Sequence, residues 1–182
     1  MELIAGIQSR TSALKLTEPG PTRAHIEQII HAGTRAPDHG RLRPWRFIVI
    51  EGESRKLIGA AMANILRTKL PDATQPQLEA AANKIMRAPT IIAVAAKITK
   101  TKIPEIEQVA AVAAAVQNMF LAAHALGYGA MWKTGDAAYD AGVKEALGLD
   151  PADHIVAFLY LGTVAARGPA IEQPHDSLVR WT

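Results

Sequence analysis

Five polar side chains lie in segments with the composition of loops, and all five could bind an anion. Arginine offers a phosphate a planar fork of N–H donors, and lysine, histidine and serine can complete such a site. The five residues are Arg10, Ser12, Arg35, His39 and Lys133. Because the surface is the commonest location of charged side chains, each residue taken alone would more often be merely solvated. The elements around them must decide between the two interpretations.

Hydrophobic patterning predicts one domain in which helices and strands alternate loosely. Apolar residues at helical spacing predict helices, and short apolar runs bounded by Pro and Gly predict buried strands. Thr22 is expected to cap the second helix, and Gly33 to follow its last turn. The predicted helices cover residues 3–7, 22–33, 54–66, 76–87, 105–126 and 139–147. The predicted strands cover residues 47–50, 90–97, 130–132 and 155–164, with irregular segments at 9–12 and after 167. This pattern indicates a single α+β or α/β domain over residues 1–182.

The predicted helix 105–126 is apolar nearly all round, because alanine fills many of its positions. A helix of that kind is usually buried at the centre of a fold or of a dimer. Together with the irregular C-terminal segment, it points to an obligate dimer. Its apolar stretch is too short and too rich in alanine to span a bilayer, and the N-terminus lacks a secretory signal pattern. We therefore expect a cytoplasmic protein without a membrane partner.

The chain contains no cysteine, which excludes several kinds of chemistry. A thiolate nucleophile, an Fe–S cluster, a Cys-ligated zinc ion and a CxxC redox pair all need sulfur. The GxxxxGK[ST], GxGxxG, GxSxG and HExxH motifs are absent as well. The six histidines have no metal-ligand spacing, so we expect no metal site. Any redox activity must then come from a bound cofactor.

The basic residues leave a second class of function open. The chain has 20 basic and 17 acidic residues, a formal net charge of +3, and most of the basic residues are scattered. An exception is the cluster formed by Arg35, Arg41, Arg43 and Arg46, which could contact phosphates while Trp45 stacks on a base. A nucleic-acid-binding module is therefore an alternative, and it predicts a colourless protein whose binding to single strands depends steeply on salt.

The same segment carries a more specific pattern. Residues 36–47, APDHGRLRPWRF, resemble the signature A-P-S/D-x-x-x-x-Q-P-W-x-F of the nitroreductase family. Residues 9–12, SRTS, resemble its R-R-S element, and residues 127–132, GYGAMW, resemble its G-x-G-x-x-W segment. Residues 159–162, LYLG, resemble the strand and glycine that precede its C-terminal arm. The resemblance covers nearly the whole chain in the family's order.

The resemblance implies an α+β, nitroreductase-like fold, with a central, mostly antiparallel sheet flanked by helices. The long helix would lie at a dimer interface, and an extended C-terminal arm would embrace the partner. The implied activity is that of an FMN-dependent oxidoreductase, which transfers hydride from NAD(P)H through the flavin to nitroaromatic, quinone or related acceptors by ping-pong kinetics. Because the flavin carries the difficult chemistry, no catalytic side-chain acid or base is expected. The partners implied are a second copy of the chain, with flavin sites at the interface, and a small-molecule acceptor, with no nucleic acid.

Carried over position by position, the family's flavin-binding residues fall in three segments of this chain. By this resemblance, Arg10 and Ser12 would donate to the phosphate or the ring edge, and His39 would reach the flavin of the other subunit. Lys133 would offer its cation, and its neighbours their backbone groups. The matching residues are Arg10, Thr11 and Ser12, then Arg35 and His39, then Met131, Trp132 and Lys133.

The chain departs from the family pattern in three places. Arg43 replaces a glutamine that is usual before Pro-Trp, Ala13-Leu14 lies inside the N-terminal element, and Lys133 replaces a common arginine. These departures bear on substrate preference and on the phosphate contacts. Alternatives on the same scaffold are reductive dehalogenation, enone reduction, flavin-consuming chemistry, and a slowly turning over flavin carrier or sensor.

Overall fold

The computed structural model describes residues 2–169 and 178–182. Its α-helices are α1 (Leu3–Ser9), α2 (Arg23–Gly33), α3 (Ser54–Lys69), α4 (Gln75–Ala82), α5 (Glu105–Ala125) and α6 (Ala141–Ala146). Its strands are β1 (Ala13–Thr17), β2 (Trp45–Glu51), β3 (Thr90–Ala96), β4 (Gly129–Lys133) and β5 (His154–Arg167). Three short 3-10 helices cover His39–Arg41, Asn83–Arg87 and Asp136–Ala138.

The five strands form one sheet in which β5 makes most of the connections. The main path runs β1-β5-β3-β2, and β4 also pairs with β5. All of these pairings are antiparallel. The first part of β5 pairs with β3 and β4, and its last residues pair with β1. The α+β class and the antiparallel sheet predicted above are confirmed.

Helices cover both faces of this sheet. Successive residues of a strand point to opposite faces. On β3, Ile91 and Ala93 therefore pack with α3 and α6, whereas Ile92 and Val94 pack with α2 and α5. Every residue of β3 is buried. A strand covered on both faces reads as a continuous apolar run, which is why residues 90–97 were recognisable from the sequence.

Helix α5 is the longest helix in the described part of the chain. Its inner face, with Val112, Val116 and Met119, packs against the sheet and α2. Its outer face leaves Ile106 and Ala110 exposed. By length and composition alone α5 could cross a membrane, and it is the only such helix among the described residues. This is weak evidence for a membrane span, because the core helix of a soluble protein meets the same criteria.

Helix α2 begins as predicted but ends differently. The Thr22 hydroxyl accepts a hydrogen bond from the His25 N–H at 3.3 Å, so the expected cap is confirmed. Gly33, however, is the last residue inside α2, and the expectation that it follows the helix is wrong. A Cβ at Gly33 would lie 2.8 Å from Cγ of Met119, so this glycine permits close packing of α2 on α5.

Several strands differ from their predicted bounds for identifiable reasons. Strand β1 was not predicted, because its buried residues Ala13 and Leu16 are three positions apart and its register is irregular, which hides the alternation. Strand β2 is an edge strand in which only Ile50 is buried, so the prediction of a buried strand there is wrong. Strand β5 extends beyond residue 164 because its end pairs with β1.

Two helical predictions were too long. The predicted helix 76–87 is α4 followed by the 3-10 helix Asn83–Arg87. The predicted helix 139–147 is shortened to α6, which begins after Asp140, whose carboxylate accepts from the Val143 N–H at 2.9 Å. The predicted C-terminal arm falls largely on residues 170–177, which lie outside the described residues.

Candidate functional site

Arg10 follows α1 directly, and its side chain is partly buried. Its backbone N–H donates to the Gly6 carbonyl at 3.2 Å, which ends the helix. Its guanidinium carbon lies 4.5 Å from the centroid of the Phe120 ring on α5. One guanidinium nitrogen, Nη1, is buried and has no hydrogen-bond partner among the residues that the structure describes. A buried donor without a partner is costly, so this nitrogen is suited to receive an acceptor from a ligand.

A cavity of about 220 Å3 lies beside the segment that follows Arg10. Its lining includes Thr11 next to Arg10, His124 of α5 and Arg167 at the end of β5. Gly127 also lines it, with a φ of 87° and free space where a Cβ would stand. The positive φ favours glycine here, while the open space would itself admit a side chain.

The potential in this first cavity is positive. Partial burial lowers the pKa of His124 below 6.5, and the charges of Arg167 and Arg10 lower it further. His124 Nε2 lies 3.1 Å from the Ser9 hydroxyl, which can share a hydrogen bond with the uncharged ring. The cavity thus has two guanidinium groups nearby and a histidine that resists protonation, an environment that attracts an anion.

Strand β1 explains why Arg167 belongs to this site. Ala13 pairs with Arg167, and the Gly168 N–H donates to the Ser12 carbonyl at 3.1 Å. Ser12 itself is exposed. Arg167 and His124 were missed in the sequence, because neither lies in a recognisable motif. The signal that could have found Arg167 is the pairing of β1 with β5, which the sequence did not reveal.

The predicted residues of β4 differ in where their side chains lie. Met131 is buried in the core on the α3 face of the sheet, so its side chain serves packing. Trp132 is partly exposed, and its indole N–H donates to the Val156 carbonyl at 3.0 Å. Lys133 is exposed at the end of the strand. Gly129 at the other end would bring a Cβ within 3.3 Å of the Ala13 side chain, which places that end beside β1.

Lys133 lines a second, larger cavity of about 380 Å3. This cavity lies between α3, the 3-10 helix Asn83–Arg87 and the turn after β4. Since β4 rises about 3.3 Å per residue, its two ends, each beside one of the two cavities, are about 13 Å apart. One strand therefore connects the two cavities and presents a short stretch of backbone between them.

His39 lies in a tight turn whose geometry is fixed by its neighbour Asp38. The Asp38 carboxylate accepts from the Arg43 N–H at 2.6 Å, which closes the turn. Gly40, Arg41 and Arg43 all have positive φ values, of 71°, 56° and 50°. A non-glycine residue in this region is uncommon and marks a constrained turn.

The turn holds His39 against the first turns of α5. His39 Nδ1 lies 2.5 Å from the Glu107 carboxylate. Arg35 is exposed just after α2, whose C-terminal end contacts α5 near its middle: Asn118 donates to the Ala32 carbonyl at 3.3 Å. The chain from α2 to His39 thus follows α5 toward its N-terminus.

A single chain does not bring all eight predicted residues together. Arg10 packs on Phe120 and His39 on Glu107, and these two α5 residues are separated by thirteen positions. At 1.5 Å per residue, the two contacts are about 20 Å apart along the helix. Arg10 and Thr11 adjoin the first cavity and Lys133 lines the second, whereas His39 lies toward the other end of α5.

The basic cluster offers little support for the nucleic-acid alternative. Trp45 is partly buried and packs against the core between the sheet and α5, so its ring is not a free stacking platform. The Arg46 guanidinium donates to the Trp45 carbonyl at 2.8 Å. Stacking proteins need aromatic faces open to the bases, and this segment uses its tryptophan for packing instead.

Comparison with known proteins decides the family. A family model described as the nitroreductase family matches residues 7–163. The chain belongs to the nitroreductase family. The predicted family, and with it the prediction of an oxidoreductase enzyme, is confirmed.

A curated relative matches this chain over most of its length. The chain is 40% identical over 164 residues to YdjA of Escherichia coli K12, which by its name is a proposed NAD(P)H nitroreductase. The match covers 90% of this chain and 88% of YdjA.

Solved structures agree with the fold. A nitroreductase-like family protein of Bacillus cereus superposes with a TM-score of 0.86 at 24% identity, covering 100% of this chain and 96% of that one. A proposed nitroreductase of Desulfovibrio desulfuricans, solved in complex with FMN, superposes with a TM-score of 0.78 at 29% identity, covering 100% and 97%. The predicted nitroreductase-like fold is confirmed.

Proposed function

We propose that this protein is an FMN-dependent oxidoreductase that takes hydride from NAD(P)H and reduces nitroaromatic, quinone or related acceptors. The observation that carries the proposal is the buried Nη1 of Arg10, which has no partner among the described residues. Thr11, the next residue, lines a cavity together with Arg167 and His124, and the charge of Arg10 acts on that histidine. The FMN in the Desulfovibrio structure and the name of YdjA support the same assignment.

The residues around the first cavity suit the phosphate of FMN. A phosphate dianion needs several charge-assisted donors, and guanidinium groups supply them in pairs. Arg10 and Arg167 would hold the phosphate, with Thr11 and Ser12 nearby as hydroxyl donors. The open space at Gly127 leaves room for the ligand. Partner atoms for the buried Arg10 nitrogen would remove the cost of leaving it unpaired.

The β4 segment would position the rest of the cofactor. The strand leads from the first cavity to the second, and Lys133 lines the latter. When bound, flavin accepts a hydride and passes on two electrons, so the protein needs only to bind, orient and tune it. A cation such as Lys133 near the ring would favour the anionic, reduced form. Donor and acceptor would use the same open face in turn, which gives ping-pong kinetics.

Arg35 and His39 require a second copy of the chain in this proposal. Because His39 lies about 20 Å along α5 from Arg10, it would contact the flavin held by the partner rather than that of its own chain. Glu107 would hold the His39 ring in a fixed orientation through Nδ1. The exposed outer face of α5 is apolar enough to pair with a second copy. We propose a cytoplasmic homodimer with two flavin sites at its interface.

The first test is the binding of FMN to an Arg10→Ala variant. Losing a hydrogen bond to a charged group costs roughly 1.5–3 kcal/mol, so the dissociation constant should rise about 10–100-fold. Fluorescence titration of the apoprotein measures it, after an absorption spectrum has established flavin in the wild-type protein and its bleaching by NADH or NADPH. Arg23→Ala is the matched control, because Arg23 is 93% exposed and pairs, among the described residues, only with Glu27 of its own helix. An unchanged affinity in Arg10→Ala would contradict the assignment of Arg10.

A further inference from the structure

The second cavity combines an apolar wall with a polar floor. Met62, Ile65 and Leu66 of α3 form part of its wall. At about 380 Å3, it lies at the lower end of the range of ligand pockets, roughly 300–1,000 Å3. These features suit a compact aromatic ring rather than a large ligand.

The buried residue Tyr160 of β5 supplies a hydrogen-bond donor to this cavity. Its side chain is buried and also lines the cavity. Burial raises the pKa of Tyr160 to about 12, against a smaller opposing effect of Arg87, so the hydroxyl stays protonated. Its hydrogen bond to the Lys84 carbonyl is long, at 3.5 Å. The hydroxyl can therefore shift to a ligand oxygen at little cost.

The rim of the cavity is strongly basic. Four cations line it, from three different segments: Lys69, Lys84, Arg87 and Lys133. Among the residues that the structure describes, the one acidic residue in the lining is Asp136, whose carboxylate lies 2.7 Å from Lys69 Nζ. Neither Lys84 nor Arg87 forms an ion pair with a described residue.

Asp136 does not neutralise this excess of charge. The hydrogen bond and charge of Lys69 lower the pKa of Asp136, and Lys84 adds to the effect, so its carboxylate stays ionised and is matched by Lys69. Counted over the described residues of the lining, the remaining cations give the cavity a net positive charge. Such a potential raises the local concentration of anions and weakens with ionic strength.

We propose that this cavity binds the electron acceptor and selects aromatic acceptors that carry an anionic group, such as a carboxylate or sulfonate, over neutral ones of the same size. The inference rests on the proposed function, because Lys133 is what links the cavity to the flavin. The ring packs on the α3 wall, and the anionic group lies among Lys84, Arg87 and the Tyr160 hydroxyl. The 2′-phosphate of NADPH carries the same chemistry, so the experiment must separate the two sources.

The test compares para-nitrobenzoate with para-nitrobenzamide, which differ in charge but hardly in size. The readout is kcat/KM for para-nitrobenzoate divided by kcat/KM for para-nitrobenzamide. Dividing this ratio in a variant by the ratio in the wild-type enzyme cancels the different intrinsic reactivities of the two compounds. Exposed charges interact by about 0.2–1 kcal/mol, so Lys84→Gln and Arg87→Gln should each lower the ratio, by up to about fivefold. Asp136→Asn should raise it, and added salt should lower it in the wild-type enzyme.

Arg67→Gln provides the matched control, because Arg67 lies on α3 but outside the cavity lining. It should leave the ratio unchanged. Equal ratios in Lys84→Gln, Arg87→Gln and wild type would overturn the proposal. So would an effect of Arg87→Gln on NADPH relative to NADH without any effect on the acceptor ratio, which would assign the anion site to the nucleotide.

Equilibrium binding keeps the inference separate from the proposed function. Benzoate and benzamide cannot accept the electrons, so calorimetric titration of the purified protein compares their affinities without turnover. We expect benzoate to bind more tightly, and the difference to shrink in Arg87→Gln. A protein that reduces para-nitrobenzamide but binds benzoate no better than benzamide would overturn the anion preference alone. A protein without flavin and without NAD(P)H oxidation would refute the proposed function, while the benzoate titration would still test the cavity.

Discussion

The charge of a single residue, Arg167, should be visible in the titration of His124. Burial lowers the pKa of His124 most, followed by the charges of Arg167 and Arg10. Arg167→Gln removes one of these charges, so we expect the pKa of His124 to rise. Proton NMR of the imidazole ring measures it, with Arg23→Gln as a control on the exposed surface of α2. An unchanged pKa in Arg167→Gln would show that Arg167 does not face the first cavity.

Arg167 should also affect how the stability of the protein depends on pH, through its effect on His124. The pKa of His124 is lower in the folded protein than the ordinary value of 6.5, so the unfolded chain takes up this proton first as the pH falls. As the pH falls below about 6.5, protonation of His124 therefore lowers the free energy of unfolding. Well above pH 6.5 the histidine is neutral in both states, and this loss is absent. Urea unfolding above and below that pH measures the free energy of unfolding. Its loss on lowering the pH should be smaller in Arg167→Gln than in wild type. An equal loss in both proteins would contradict this linkage.

At the level of elements, Gly59 sets how closely α3 packs on the segment that carries Lys84 and Arg87. A Cβ at Gly59 would lie 2.7 Å from the Ala82 carbonyl oxygen, a backbone atom that cannot turn away. Helix propensity alone predicts that Gly59→Ala stabilises the protein by about 1 kcal/mol. Overpacking predicts the opposite: the free energy of unfolding should fall by about 1–3 kcal/mol. We expect this destabilisation.

Urea unfolding of Gly59→Ala decides between the two signs. Ala60→Gly is a suitable control, because Ala60 is exposed on the same helix and its change tests propensity without packing. It should cost about 1 kcal/mol. A higher free energy of unfolding in Gly59→Ala would mean that α3 and the segment after α4 can move apart. The wall of the second cavity would then be deformable.

The elements also show how far the sequence could predict the site. The buried strand β3, helix α5 and the β4 segment were found because their apolar runs are continuous or end at glycines. Strand β1 was missed, and with it the position of Arg167 beside the segment that follows Arg10, since Arg167 reaches that segment only through the pairing of β5 with Ala13 of β1. The cations Lys84 and Arg87 were missed for a related reason, because their shared cavity exists only when α3 packs over β5.

At the scale of the whole molecule, α1 presents an apolar surface that the described residues of one chain leave exposed. Leu3, Ile4 and Ile7 are 67%, 57% and 46% exposed, and all three lie on this one short helix. Neighbouring apolar residues exposed on one element are typical of an interface rather than of free surface. Because α1 leads directly into Arg10, a partner that covers α1 would also fix the start of the proposed flavin site.

The double variant Ile4→Glu/Ile7→Glu should therefore separate the subunits and weaken flavin binding together. Two carboxylates in an apolar interface would have to be buried without partners, which is strongly unfavourable. Light scattering on a sizing column should give twice the chain mass of 19.5 kDa for wild type and a single chain mass for the variant. Leu57→Glu, a change of an exposed residue on α3, is the control and should remain dimeric with flavin bound. A monomeric wild-type protein that retains FMN would refute the shared site, because Arg10 and His39 lie too far apart on one chain to bind one flavin together. A monomeric variant that binds FMN as tightly as wild type would refute the contribution of the partner's His39, while leaving the first cavity as the phosphate site.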